Sequence, residues 1–182
     1  VPQDPTDEPA SELLKRIEKE KARLVKAGQL REPRNAVEIR REQLPFIPAS
    51  HWCWARLIDI AVPSYGYAFS SERFNSARRG KPLIRIRDIS KTDTEAYYEG
   101  EFDPAYVVHA GDYLVGMDGD FNLRRWAGPD GLLNQRVMRI NGWRCEVDPE
   151  FVKLPLQMIL DHLHGDTSLT TVKHLSAKQV NG

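Results

Sequence analysis

The chain has 182 residues, 41% of them hydrophobic and four of them tryptophan. That is enough for one medium domain with an appendage, and it excludes a disordered chain. Its 26 basic and 26 acidic residues cancel, and no apolar run approaches the roughly 18 residues that signal a membrane span.

The start, Val1 to Pro5, has neither the basic head nor the apolar core of a signal peptide. It also lacks an initiator Met, and a fragment of a longer protein is expected. Residues 7 to 27 read as a helix, with Asp7 as N-cap, Pro9 in the first turn and Gly28 as the stop. Ala10, Leu14, Ile17 and Leu24 form a narrow apolar stripe. Glu12 with Arg16, Glu18 with Lys21, and Glu20 with Arg23 are spaced to pair on the exposed face. So narrow a stripe buries little alone, so the helix lies along the domain or pairs with another helix. Pro33, Pro45 and Pro48 punctuate a polar linker. The organisation expected is a helix and linker over 1–43 and a globular domain over 44–182.

The globular part opens near Trp52-Cys53-Trp54, with Trp52 and Trp54 expected in the core. Strand signals follow at 82–86, 106–108, 113–115 and 137–140. Gly111-Asp112 is a tight-turn signal between the second and third, and Asn141-Gly142 closes the fourth. Residues 150–164 fit an amphipathic helix with Phe151, Leu154, Met158, Ile159 and Leu163 apolar, and 169–179 end the chain as a short strand or loop. The sum is an α+β chain: a small, twisted, mainly antiparallel sheet domain with an appended long N-terminal helix.

Charge is segregated although it sums to zero. Residues 72–91 carry a net +5, residues 93–120 hold eight acids and no Lys or Arg, and residues 121–144 carry a net +4. Such blocks build a basic face if the fold gathers them on one side, and cancel if it interleaves them.

Catalytic chemistry finds no inventory. Asp118-Gly119-Asp120 begins like a calcium loop, but its sixth and twelfth positions are Leu123 and Pro129, where Gly and a bidentate Glu are required. Pro129-Asp130 is not followed by the Glu-x-Lys of a magnesium nuclease, because Glu150 and Lys153 are one residue too far apart. A glycine-rich methyl-donor turn and an Asn-Pro-Pro-aromatic motif are absent, as is a nucleophile elbow. His162 and His164 sit two apart, on different helix faces. Cys53 and Cys145 have no C-x-x-C spacing, so neither a disulfide framework nor a zinc site is expected, and a reduced, cytoplasmic setting fits. No cofactor and no metal are expected.

Six stretches in order carry a resemblance. They are the helix from Val1-Pro2-Gln3 into Lys19-Glu20-Lys21-Ala22-Arg23-Leu24-Val25-Lys26; Leu44-Pro45-Phe46 to Trp52-Cys53-Trp54-Ala55-Arg56-Leu57; and Pro82-Leu83-Ile84-Arg85-Ile86-Arg87-Asp88-Ile89. Further on come Gly111-Asp112-Tyr113-Leu114-Val115-Gly116-Met117-Asp118-Gly119-Asp120-Phe121, then Leu133-Asn134-Gln135-Arg136-Val137, and last Val172-Lys173-His174-Leu175-Ser176. Together they resemble a target recognition domain, with its preceding spacer helix, of the type I restriction–modification specificity subunits. The resemblance implies a subunit of two recognition domains, each reading half of a split double-stranded DNA target and held apart by antiparallel helices. It implies methyltransferase (modification) subunits that act on adenine and endonuclease/translocase (restriction) subunits as partners, and no catalysis in the chain itself. One domain and one helix imply either the second half of a subunit or a half-length subunit that dimerises. The DNA target does not carry over.

A DNA-reading domain needs phosphate anchors and side chains that reach base edges. One candidate loop, 65–81, holds Tyr67, Arg73, Arg78, Arg79 and Lys81; a second, 120–126, holds Phe121, Asn122, Arg124, Arg125 and Trp126. Lys173 and His174 are candidate phosphate contacts. Asn134 is expected to satisfy backbone groups and Arg136 to pair with Asp118 or Asp120. The reading from a different class is a protein-interaction module, possible self-association running through the N-terminal helix.

Overall fold

The computed structural model describes residue 4 and residues 6–30, 46–166 and 174–181. They form two compact units, one drawn from Val1–Val62, Gly142–Asp148 and Ala177–Gly182, the other from Pro63–Asn141 and Pro149–Ser176. The linker prolines at 33 and 45 lie outside the described residues.

The first unit is helical: α1 (Ala10–Lys26), α2 (Leu57–Ile60) and α4 (Ala177–Asn181). Helix α1 starts after Pro9, whose extended backbone takes the N-cap place expected for Asp7, and no side chain caps it. Its first N–H is satisfied by the chain instead, Ala10 donating to the His51 carbonyl at 2.9 Å. At the other end Gly28 has φ +68, so the stop lies where a residue without Cβ allows it. Ile17 is the buried member of the apolar stripe. The pairs along α1 differ from the spacing expectation. Lys15 takes Glu12, and Arg16 bonds Glu8 and, at 2.7 Å, Glu146. Lys21 reaches Asp59 of α2 at 2.6 Å, where Arg56 also binds at 2.7 Å. Carboxylates brought in by folding outcompete neighbours one turn away.

The second unit holds two sheets. Strands β1 (Val62–Tyr65), β9 (Val137–Asn141), β6 (Tyr113–Gly116) and β7 (Leu123–Arg125) lie in that order in one. Strands β2 (Phe74–Asn75), β4 (Tyr97–Tyr98), β3 (Lys81–Ile84), β8 (Gly131–Leu133) and β5 (Val107–Val108) form the other, in which β3 and β8 are parallel and the other pairs antiparallel. The α+β expectation with a mainly antiparallel sheet holds. Ile84, Ile89, Val108, Leu114, Trp126, Leu133 and Val137 form one core cluster. Phe69, Leu83, Ala96, Tyr98 and Leu132 form a second.

Gly111-Asp112 does make a turn, with φ +97 at Gly111, but the flanking strands do not pair. Strand β5 joins β8 and β6 joins β9, so the turn is a corner between sheets and not a hairpin. The helix α3 (Pro149–Asp166) follows β9. Its apolar stripe points the other way from expectation: Phe151, Leu154 and Met158 are 51%, 70% and 68% exposed. The stripe Glu150, Gln157 and Leu160 faces the sheet instead. Tyr113 donates to Glu150 at 2.6 Å, the Leu123 N–H donates to Gln157 at 2.9 Å, and Leu160 is buried. Trp52, expected in the core, is also half-exposed.

Two predictions follow from this packing. A Cβ on Gly66 would run into the backbone carbonyl of Asn134, which cannot swing aside as a side chain could. Gly66→Ala should therefore cost about 1–3 kcal/mol in denaturant unfolding, whereas Gly165→Ala, in a helix with open space around it, should be neutral or stabilising. Equal stability of the two variants would contradict this packing. Burial alone would raise the Asp59 carboxyl, but the Arg56 and Lys21 hydrogen bonds outweigh it and hold it below its ordinary value. A depressed folded value gives stability that is complete above the unfolded value of about 4 and lost as pH falls through the folded one. Asp59→Asn should lower Tm near neutral pH, and the gap to the parent should close below about pH 4. A gap that persists in acid would exclude this ion network as its source.

Candidate functional site

Strand register divides the second unit into two ends. Strands β3 and β8 run parallel and finish beside the turn 134–136, where β6 also ends, Gly116 opposite Val137. Tyr67 lies at this turn end, bridged to Asn134, and so does Asn122, whose carbonyl accepts the Gly116 N–H. The opposite end carries Lys81 at the start of β3, opposite Tyr98, and Arg125 at the finish of β7, opposite Tyr113. Arg79 and Arg73 belong there too, through contacts with Glu99 next to Tyr98. The first candidate loop is thus split between the ends, and its basic members share an end with Arg125.

The acidic stretch between the two basic segments meets them directly. Arg78, at φ +58, binds Asp93 at 2.7 Å and lies 5.9 Å from the Tyr97 ring centroid. Arg79 binds Glu99 at 2.9 Å, and its backbone is bracketed by the Asn75 side chain. All four charged groups are exposed, so the pairs contribute about 0–1 kcal/mol each and leave the guanidinium groups open to solvent. Arg73 and Lys81 are exposed as well.

The second candidate segment is less a loop than a strand. Arg124 and Arg125 are exposed on β7, an edge strand, and point to opposite faces. Arg125 lies 3.6 Å from Glu150. That carboxyl is held below its usual range by the Tyr113 hydroxyl first, and by Lys153 and Arg125 besides. Phe121 and Trp126, candidates for DNA contact, are instead fully buried. Phe121 packs edge-on against His164, with centroids 5.5 Å apart. The Trp126 indole N–H donates to the Pro129 carbonyl at 2.9 Å. Neither ring is offered to a ligand.

Tyr67 is half-exposed and stands 5.1 Å, centroid to centroid, from both Phe69 and Tyr106. Tyr106, which the sequence assigned only to a strand, joins it as the outer part of an aromatic group. Arg136 meets the expectation of an ion pair, with Asp118 at 3.7 Å, and His174 bridges the two, 2.5 Å from Asp118 and 3.0 Å from Arg136. Asn134 differs: its backbone is engaged, but its buried side-chain oxygen has no hydrogen-bond partner among the described residues. Lys173 lies outside the described residues. Among the described residues no three His, Cys, Asp or Glu gather as a metal site, and no helix is long and apolar enough to cross a membrane.

Packing makes Phe121 and Trp126 stability residues. Phe121→Ala and Trp126→Ala should each cost about 3–5 kcal/mol in chemical unfolding; a loss within about 0.5 kcal/mol, typical of surface positions, would contradict their burial.

No family profile matches the chain. It is 38% identical over 143 residues to the type I restriction enzyme EcoBI specificity subunit of Escherichia coli, covering 78% of this chain and 30% of that protein. It is 32% identical over 195 aligned positions to the EcoAI specificity subunit of the same organism, covering 99% and 33%. The chain therefore spans about a third of the length of these relatives. Among solved structures, it superposes with TM-score 0.56 at 14% identity on a chain from a study of complex assembly and conformational transition of the type I R-M system, covering 94% of this chain and 40% of that one. With the HsdS subunit from Thermoanaerobacter tengcongensis the TM-score is 0.54 at 15% identity, over 94% and 39%. At that identity the likeness establishes the fold.

Proposed function

Because the chain belongs to the type I restriction-enzyme specificity subunits, we propose that it is a non-catalytic module reading one half of a split, double-stranded DNA target. The observation that carries this is the match to two specificity subunits over 78% and 99% of the chain. The exposed cations Arg73, Arg79, Lys81 and Arg125 at one end of the second unit support it, as does Arg124 on the free edge of β7. Their charge-assisted bonds would go to phosphate oxygens, which set position; base discrimination would come from side chains such as Asn122 and Tyr67. On this reading residues 44–182 form the recognition domain and residues 1–43 the spacer.

The partners proposed are the methyltransferase (modification) subunits and the endonuclease/translocase (restriction) subunits, which the module would direct to its target. No cofactor is needed for reading alone. Helix α1 supports a further element of the proposal, helix-mediated self-association. Only Ile17 of its apolar positions is buried, while Leu13, Leu14, Leu24 and Val25 stay half-exposed. Their pairing with a second spacer helix would bury them.

Phosphate neutralisation has a thermodynamic signature. Binding to duplex DNA should weaken steeply with salt, with a log–log slope of about −0.9 for each phosphate neutralised. A flat dependence would sink the proposal. Removal of residues 1–43 should abolish self-association by sedimentation and leave the duplex affinity in place; loss of both together would argue against the separate roles.

A further inference from the structure

A cation already neutralised by a carboxylate attracts a second anion weakly. Most arginines of the second unit are in that position: Arg78, Arg79, Arg85, Arg125 and Arg136 each have an acidic partner within 4 Å. Arg73, Lys81, Arg87 and Lys91 do not: all four are exposed, and among the described residues none has an acidic partner within 4 Å. Arg124 joins them, its guanidinium donating to the carbonyl of its own neighbour Leu123 at 2.8 Å.

Packing sets the chain segments that carry Arg87, Lys91 and Arg124 side by side. After β3 the chain makes a 3₁₀ turn at Ile86–Asp88 and runs through Ile89 to Thr92. Ile89 anchors this segment in the core with Trp126 and Leu114. Ser90 shares a shallow groove with Asn122. Two residues on, the Thr92 carbonyl lies where a Cβ on Gly128 would approach to 2.6 Å, beside the Trp126 ring. Residues 90–92 therefore run alongside 122–126, with Lys91 between the two contact points. On β7, Leu123 and Arg125 engage Gln157 and Glu150 of α3. Alternation then turns Arg124 to the other face, the face of Trp126 and Leu114, against which the 90–92 segment packs.

We propose that Lys91 and Arg124, with the exposed Thr92 hydroxyl beside them, form a clamp for a DNA backbone phosphodiester, and that Arg87 extends it to the next phosphate. Lys supplies a compact point charge, Arg a planar fork and Thr a neutral donor, a set that matches the oxygens of one phosphate. The phosphate sits on the β7 side of Lys91. Lys91 and Thr92 also line, with Arg78, a depression of about 350 Å³ on the other side, where Asp93 and Glu95 repel an anion; Asp118 and Asp120 lie in the groove that Ser90 shares with Asn122. The clamp rests on the DNA-reading proposal and moves its electrostatic centre from the paired arginines to three residues, two of which the sequence did not single out.

The test is the salt dependence of duplex binding by the whole chain and by Lys91→Gln with Arg124→Gln. On a mixed-sequence duplex the slope of the double variant, which gives up one phosphate, should be shallower by about 0.9, and adding Arg87→Gln should remove about 0.9 more. Lys91→Arg should keep the parent slope. Lys15→Gln with Lys19→Gln, which removes the same charge from α1, should leave the slope unchanged. A steep parent slope that survives in the double variant overturns the clamp and leaves DNA reading standing. A parent that does not bind duplex at any salt overturns both. If Arg124→Gln lowers the melting midpoint, Lys91→Gln with Arg87→Gln decides, with a slope shallower by at least about 0.9 for the phosphate that Arg87 holds.

Discussion

One short turn, Asn134 to Arg136, holds the second unit together. Strand β8 hands over to β9 there, and five backbone hydrogen bonds meet within a few residues. Asn134 N–H donates to Ile84, closing the end of β3; Tyr67 N–H donates to Leu133 and Gln135 N–H returns to Tyr67; Gly66 N–H donates to Val137; and Met117 N–H donates to Arg136. Two sheets and the exit of β1 are pinned by a loop whose own conformation is strained, Arg136 sitting at φ +68. The Asp118, His174 and Arg136 side chains tie its outer side. Gly66 is the price of so close an approach, since any Cβ there would enter the Asn134 carbonyl.

This knot decides where function can sit. At the turn end the charged groups are committed to one another, Asp118 to Arg136 and His174, while the Asn122 and Tyr67 side chains stay available. Cations whose charge is unspent lie elsewhere: Arg124 on β7, Arg87 and Lys91 on the segment leading out of β3, and Arg73 and Lys81 at the other end of that sheet. Sequence charge counts cannot see this difference. The block 72–91 has a net +5, yet Arg78 and Arg79 of that block are met by Asp93 and Glu99 from the acidic stretch that follows. The reason is topological. Strand β4, which brings in Glu99, lies between β2 and β3, so the acidic return strand is threaded through the middle of the basic segment.

Much of the architecture was legible because it rests on local rules. The end of α1 at Gly28, the strand at 137–141 and the class of the fold follow from backbone freedom and apolar periodicity, and each appears in place. What was not legible depends on partners distant in the chain. The period of α3 was readable, but its orientation was not, because the Tyr113 hydroxyl and the Leu123 N–H, from two strands, bond Glu150 and Gln157 on one side of the helix and leave Phe151 and Met158 exposed. Trp126 next to two arginines reads equally well as a core ring and as a DNA-facing one. It is buried because strand alternation sends it to the core side, where Pro129 satisfies its N–H. Lys91 was one charge in a block until the contacts of Ser90 and Thr92 fixed what stood beside it.

The separation of frame from surface also accounts for a fold kept at 14% identity. The frame is specified by backbone approaches and buried rings: Gly66 on Asn134, Gly128 under Trp126, Gly131 against Ile84. Changes there cost several kcal/mol. Exposed positions such as Arg87, Lys91 and Arg124 contribute little to folding, with typical effects of about 0.5 kcal/mol. A chain built this way can exchange the cations and amides it presents to a partner without disturbing the scaffold that aims them. Stability and recognition are then carried by different residues, even where those residues alternate along a single three-residue strand such as β7.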